Sequence, residues 1–225
     1  MKKALVILAA LSMAAAAQAD VILSWTFEGA TTPVSQVANS IDANLDSGGG
    51  LNDLTRGAGA GTSAGASSFR TTGFQNNGIA TGNTDFFQFS LSAAAGYTLS
   101  LNSLTGNFLG TATFSASPGV SHQWAYSFDN SSYTLIGTAQ ARIGNGTTVF
   151  DFSGTSALQD VAASETVYLR YYASGQTTTG GWGFASTGLT VDATIASAAP
   201  VPEPATMGLL GLGALAMVLR RKMSK

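Results

Sequence analysis

Residues 85–92 read Asp-Phe-Phe-Gln-Phe-Ser-Leu-Ser, and residues 97–106 read Tyr-Thr-Leu-Ser-Leu-Asn-Ser-Leu-Thr-Gly. In the first stretch Phe87, Phe89 and Leu91 alternate with polar neighbours, and in the second Tyr97, Leu99 and Leu101 do. Successive side chains of a strand point to opposite faces, so each alternation predicts a strand with one buried face. The same signature recurs at 21–27, 112–116, 121–128, 133–137, 147–152, 166–173, 181–185 and 189–195, with Gly, Asn, Ser or Pro at most breaks. Asp129 to Ser132 forms a four-residue loop that predicts a hairpin between the strands on either side. Strands this short and this closely spaced predict an all-β, jelly-roll-like sandwich. A helical period is never sustained over three turns, and residues 156–164 offer at most one short helix. Residues 39–68, with Asp46-Ser-Gly-Gly-Gly50 and Gly57 to Ser68, read as a long exposed Gly/Ser/Ala-rich loop.

Composition narrows the function. Charged residues make up 10% of the 225 residues, and there are 27 glycines. Soluble domains usually carry roughly 25% charge, on Lys/Glu-rich helical faces that this chain lacks. Cysteine is absent, which excludes disulfides, thiolate metal sites and a cysteine nucleophile. Basic residues gather at the ends. Between residues 20 and 199 four arginines face eleven acids, a formal charge of −7. Nucleic-acid binding needs a basic footprint, so it is excluded as a partner.

The two ends read as addresses. Lys2 and Lys3 precede an apolar stretch, and Ala17-Gln18-Ala19 supplies the small residues a signal peptidase requires. Residues 1–19 are therefore a secretory signal peptide, cut after Ala19. At the other end a linker, 197–201, leads into a tail over 202–225. Its apolar run at 205–219 would cover about 22 Å as a helix, against a hydrocarbon core of about 30 Å. Arg220, Arg221 and Lys222 would hold its end on the cytoplasmic side of the inner membrane.

Val201-Pro202-Glu203-Pro204, a short Gly/Ala/Leu-rich helix and a closing Arg-Arg-Lys resemble the PEP-CTERM sorting signal of Gram-negative bacteria, a tail also catalogued as the C-terminal domain of ice-binding proteins. The resemblance implies handling by an exosortase, a membrane-embedded transpeptidase. That enzyme would read Pro202, Glu203 and Pro204, cut near them, and release the protein to the surface or the extracellular matrix. The segments 124–137 and 167–195 resemble jelly-roll ectodomains that accompany such tails and look like carbohydrate-binding modules.

Within the ectodomain, residues 20–196, few groups suit catalysis. His122 is the single histidine. It neighbours Ser121, and adjacent strand residues face opposite ways, so they cannot form a nucleophile–base pair. His122 is read as a half-exposed strand residue. Most acids sit in turn contexts, where Asp bonds nearby backbone. Glu28 after the first strand and Asp192 in the last are a candidate structural Ca²⁺ pair, because the terminal strands of a jelly roll lie side by side. Calcium also needs six to eight oxygens. Trp25 and Trp124 are read as core. Trp182, flanked by glycines, and one of the adjacent pair Tyr171 and Tyr172 are candidate glycan platforms. The sequence thus reads as an exported, non-enzymatic surface or matrix protein with polysaccharide as a ligand. A structural or adhesive protein without a ligand, and a secreted glycan hydrolase, are the alternatives.

Overall fold

The alternating stretches do become strands. The computed structural model describes residues 20–198 apart from positions 32 and 66, so the signal-peptide and sorting-tail expectations lie outside the described residues. In chain order the first strands are β1 (Asp20–Trp25), β2 (Gln36–Val37), β3 (Ser40–Ile41), β4 (Asp53–Arg56) and β5 (Phe69–Thr71). Next come β6 (Phe87–Leu91), β7 (Tyr97–Gly110), β8 (Val120–Ser127), β9 (Thr134–Leu135) and β10 (Gln140–Arg142). The last are β11 (Gly146–Asp151), β12 (Val161–Ala162), β13 (Val167–Ser174) and β14 (Trp182–Ser197). One 3-10 turn, Ser156–Leu158, is the only helical piece among the described residues, none of which forms a helix long and apolar enough to cross a membrane.

Two antiparallel sheets face each other. Sheet 1 runs β11-β7-β14-β1-β3, with β12 beside β7 and β5 beside β14. Sheet 2 runs β10-β8-β13-β6-β4-β2, with β9 beside β8. From β1 to β8 every connection crosses from one sheet to the other, a jelly-roll-like wrap that brings β1 and β14 together as antiparallel neighbours.

Most of the periodicities hold, and the departures have local causes. In β7 Leu99 and Leu101 are buried, and then the phase slips so that Leu104, Gly106 and Phe108 are buried. A bulge absorbs the slip: Asp192 of β14 pairs with Ser103 and the next residue, Ala193, with Leu101, leaving Asn102 as the extra residue. The stretches at 181–185 and 189–195 join into one strand, β14, irregular between Phe184 and Leu189. Gly188 sits there at φ +80°, where an added Cβ would lie 1.7 Å from the Trp25 carbonyl oxygen. Residues 112–116 are turns rather than the expected strand, although Phe114 is fully buried. The expected loop at 39–68 contributes β3 and β4 to the two sheets and buries Leu45, Leu54 and Ala60. Sparse apolar residues hid it, because a short strand needs only one inward side chain to find its place.

The core is aromatic. Phe108 stacks on Trp182 with ring centroids 5.5 Å apart and planes 6° apart, and on Tyr171 at 5.4 Å. Phe184, Phe87, Phe89 and Trp124 extend the cluster between the sheets. His122 belongs to it, fully buried rather than half-exposed. Its ring stands nearly perpendicular to Phe108 and Phe150 at 4.8 and 4.9 Å. The Trp182 indole N–H donates to the Tyr171 hydroxyl oxygen at 2.8 Å, and the Tyr171 oxygen lies 2.9 Å from His122 Nδ1. One hydrogen is shared between the Tyr171 oxygen and His122 Nδ1, and the buried imidazole is neutral at pH 7. Nε2 finds no hydrogen-bond partner; burial, with Arg142 adding to it, lowers the His122 pKa to about 3.

Candidate functional site

Strand β13 shows how the sheets sort their side chains. Val167, Leu169 and Tyr171 are buried against the core, while Tyr168 and Arg170 are half-exposed on the outer face of sheet 2. Arg170 stands directly across from Gln88 of β6 on one side and Ala125 of β8 on the other. Directly opposed residues share a face. Gln88 therefore also points outward, between the buried Phe87 and Phe89. Thr55 of β4 is the next residue in the row and donates its hydroxyl to the Gln88 carbonyl at 3.0 Å.

A rigid cluster forms on this row. The Arg170 guanidinium carbon lies 3.9 Å from the Phe86 ring centroid and 3.8 Å from that of Tyr133. Its Nε–H donates to Gln88 Oε1 at 2.7 Å, and the Tyr133 hydroxyl lies between that oxygen at 3.0 Å and Asn130 Oδ1 at 2.6 Å. Stacking of an arginine on aromatic faces contributes roughly 0.5–1 kcal/mol per exposed contact, so the side chain is held in one place. Burial pushes the Tyr133 pKa up to about 12, against the opposing pull of Arg170. Tyr172 is raised in the same way by burial, with Arg170 opposing it. Beyond Tyr172 the face runs into a polar cavity of about 300 Å³ lined by Asp85, Thr84, Asn83, Asn77 and Gln75. Burial raises the Asp85 pKa.

The outer face of sheet 1 is different. Its row holds small polar side chains bonded to one another: Ser103 to Asp192 Oδ2 at 3.2 Å and Asn102 to Thr194 at 3.1 Å. Only the sheet 2 face combines half-exposed rings, an amide and a fixed guanidinium among the described residues. Rings cover the apolar faces of sugars, and amides and guanidinium groups donate to their oxygens.

The residues singled out from the sequence fall elsewhere. Trp182, Tyr171 and Tyr172 are all buried, so none offers a ring face to a sugar. The glycines around Trp182 mark tight packing: a Cβ on Gly110 would lie 2.3 Å from the Trp182 ring, and one on Gly183 would lie 2.1 Å from the Phe69 carbonyl oxygen. Tyr172 does point away from the core, but its hydroxyl donates to the Thr81 carbonyl at 3.1 Å and Phe86 packs beside it. Glu28 and Asp192 do not converge. Asp192 pairs with Val21 at one end of β1, and Glu28 lies beyond the other end, about 20 Å away at the rise of a strand. Glu28 instead borders an open hollow of about 500 Å³ with Thr26, Ser67, Ser186 and Thr187. Among the described residues no three acidic or histidine side chains gather around a common point. Sequence reasoning missed Arg170, Gln88, Phe86 and Tyr168. The alternation in Thr166 to Ala173 already places Tyr168, Arg170 and Tyr172 on one face, and that was the available signal.

No curated protein matches the chain. Among solved structures, the CBM22-1 xylan-binding domain from Paenibacillus barcinonensis Xyn10C is similar at a TM-score of 0.36 and 13% identity, covering 83% of this chain and all of that one. The family model of the PEP-CTERM protein-sorting motif matches residues 200–222, which contain Pro202, Glu203, Pro204, Arg220, Arg221 and Lys222. The chain therefore carries a PEP-CTERM protein-sorting motif, and that motif implies an exported protein.

Proposed function

We propose that this is a non-enzymatic surface or matrix protein that holds polysaccharide on the outer face of sheet 2. The carrying observation is the cluster of Phe86, Tyr133 and Arg170 around Gln88: rings and donors preorganised on strands, which lowers the ordering cost of binding. The Asp85 cavity at its end supplies carboxamide and carboxylate groups for sugar hydroxyls. Replacing Tyr133 and Tyr168 together with Ala should weaken polysaccharide binding at least tenfold, about 1.4 kcal/mol. Replacing Thr190 and Thr105 on sheet 1 should leave it unchanged. Affinity electrophoresis of the full-length variants in gels containing soluble polysaccharides reads this, with melting curves to verify folding. Equal retardation of both double variants would remove the assignment to this face.

The tail completes the reading. The signal peptide ending at Ala17 and Ala19 is removed by signal peptidase, the run at 205–219 holds the chain in the inner membrane, and an exosortase-type transpeptidase cuts beside Pro202, Glu203 and Pro204. The mass of the mature protein from its own cells checks this. A C-terminus near Glu203 is expected, and one intact through Lys225 would rule the cut out.

A further inference from the structure

The four arginines between residues 20 and 198 are used in two ways. Arg56 Nη1 donates to the Arg70 carbonyl at 2.7 Å, and Arg70 Nη2 to the Ala64 carbonyl at 2.7 Å. Arg142 donates Nη1 to the Thr147 carbonyl and Nη2 to the Asn145 carbonyl, each at 2.8 Å. These three are clamps: their terminal nitrogens fasten loops to the body of the fold. Arg170 makes no such bond to backbone among the described residues. Its Nε–H is bonded to a neutral amide, and the guanidinium also pairs with the Tyr172 hydroxyl.

The geometry around Arg170 leaves one direction open. Phe86 and Tyr133 crowd the guanidinium from two sides at 3.9 and 3.8 Å. Gln88 occupies the Nε–H in the guanidinium plane. The Tyr172 hydroxyl takes one further N–H, and the remaining N–H groups of Nη1 and Nη2 form the outer edge. A guanidinium edge is a planar fork that matches a carboxylate with two parallel hydrogen bonds, a contact roughly twice as strong as one between neutral groups. Stacking rings and the Gln88 bond fix the fork before a ligand arrives.

We propose that the polysaccharide held on this face is acidic, and that the outer edge of Arg170 binds the carboxylate of a uronic-acid unit. The inference rests on the polysaccharide-binding reading above and names the class of sugar. Two acids border the face: Asp85 acts on Tyr172 and Asp129 on Tyr133. They accept hydroxyls rather than carboxylates, so the acidic unit is placed at Arg170 and neutral hydroxyls at the Asp85 cavity. The −7 charge of residues 20–199 opposes a polyanion at long range. At physiological salt that repulsion is largely screened beyond about 8 Å, whereas the contact at Arg170 is direct.

The test compares an oligogalacturonate, an alginate oligosaccharide and the carboxyl-reduced form of each, titrated calorimetrically into the full-length chain. At least one acidic oligosaccharide should bind ten times or more tighter than its reduced form. Arg170→Gln should abolish most of that preference. Arg170→Lys should lose much of it too, because it keeps the charge and the stem but not the planar fork. Asp192→Asn, on the opposite sheet, should keep it. Binding of the acidic and reduced forms with equal affinity would overturn the assignment to uronic acids while leaving polysaccharide binding in place. Binding of neither, together with no retardation by any neutral polysaccharide, would overturn both. A preference that survives Arg170→Gln and Arg170→Lys would move the carboxylate to another group and overturn the role of Arg170.

Discussion

Lowering the pH from 6.5 to 5 should cost the folded ectodomain about 2 kcal/mol, at roughly 1.4 kcal/mol per pH unit. The group responsible is His122, the only histidine of the chain. Folded, its pKa is lowered to about 3 by burial; unfolded, it titrates near 6.5. Between those values the unfolded chain holds a proton that the folded chain does not. Stability is therefore complete above 6.5 and falls as the pH drops toward 3. Two carboxylates titrate below this window. Asp129 and Asp151 are held below the usual carboxylate range by hydrogen bonds, from the Ser132 and Ser131 backbone and from Ser153 respectively. Their contributions are lost only as the pH falls below about 4. Asp85, raised by burial, works in the opposite sense and favours the folded state as the pH falls. Urea unfolding at pH 6.5 and 5 measures the effect. His122→Phe keeps a ring in the aromatic nest and removes the titration, so its stability should be nearly flat over the window. It should also start about 1 kcal/mol lower, because the Tyr171 hydroxyl loses its hydrogen-bond partner at His122. A wild-type protein with equal stability at both pH values would contradict the buried neutral histidine.

Phe108→Ala should destabilise the domain by about 3–5 kcal/mol, the range for truncating a core phenylalanine. Phe108 is fully buried and touches Trp182, Tyr171, Phe184, Phe150 and His122, with ring centroids between 4.8 and 6.3 Å away. It belongs to sheet 1 and its main partners Tyr171 and His122 to sheet 2, so its ring is a large part of what joins the layers. Large rings cannot collapse into the gap an alanine leaves, because each is held by its own stacking. Phe108→Leu fills part of the space and should cost about 1–2 kcal/mol. Equilibrium denaturation of both variants at pH 7 gives the comparison. A cost below 1 kcal/mol for the alanine variant would mean that the two sheets are held together elsewhere.

Much of the fold was legible because alternation is a local property. Phe87, Phe89 and Leu91 sit inward in β6 as their spacing requires, and Val167, Leu169 and Tyr171 do so in β13. Residues 112–116 alternate too, yet they turn, because Phe114 reaches the core from a loop and no neighbouring strand pairs with them. β4 went unread for the reverse reason, since its single buried residue, Leu54, is a weak signal until β6 lies alongside. The candidate site was legible only in part. Tyr168 and Arg170 could be placed on one face from their spacing. Phe86 and Tyr133 could not be joined to them, because local spacing does not say that β6 and the β8–β9 hairpin lie beside β13.

The sequence by itself determined the class of the fold and the sorting address. Two-residue alternation and the Pro-Glu-Pro, apolar and Arg-Arg-Lys blocks are both written in neighbouring residues, and no folding is needed to read them. Tertiary structure decided which aromatic residues face water. Strand order sent Trp182, Tyr171 and His122 into the layer between the sheets and left Arg170, Gln88, Phe86 and Tyr133 outside it. A ring costs little to bury wherever other rings surround it, so burial follows from which strands become neighbours. That pairing brings together residues 33 to 82 positions apart in the chain, such as Thr55 with Gln88 and Arg170 with Gln88.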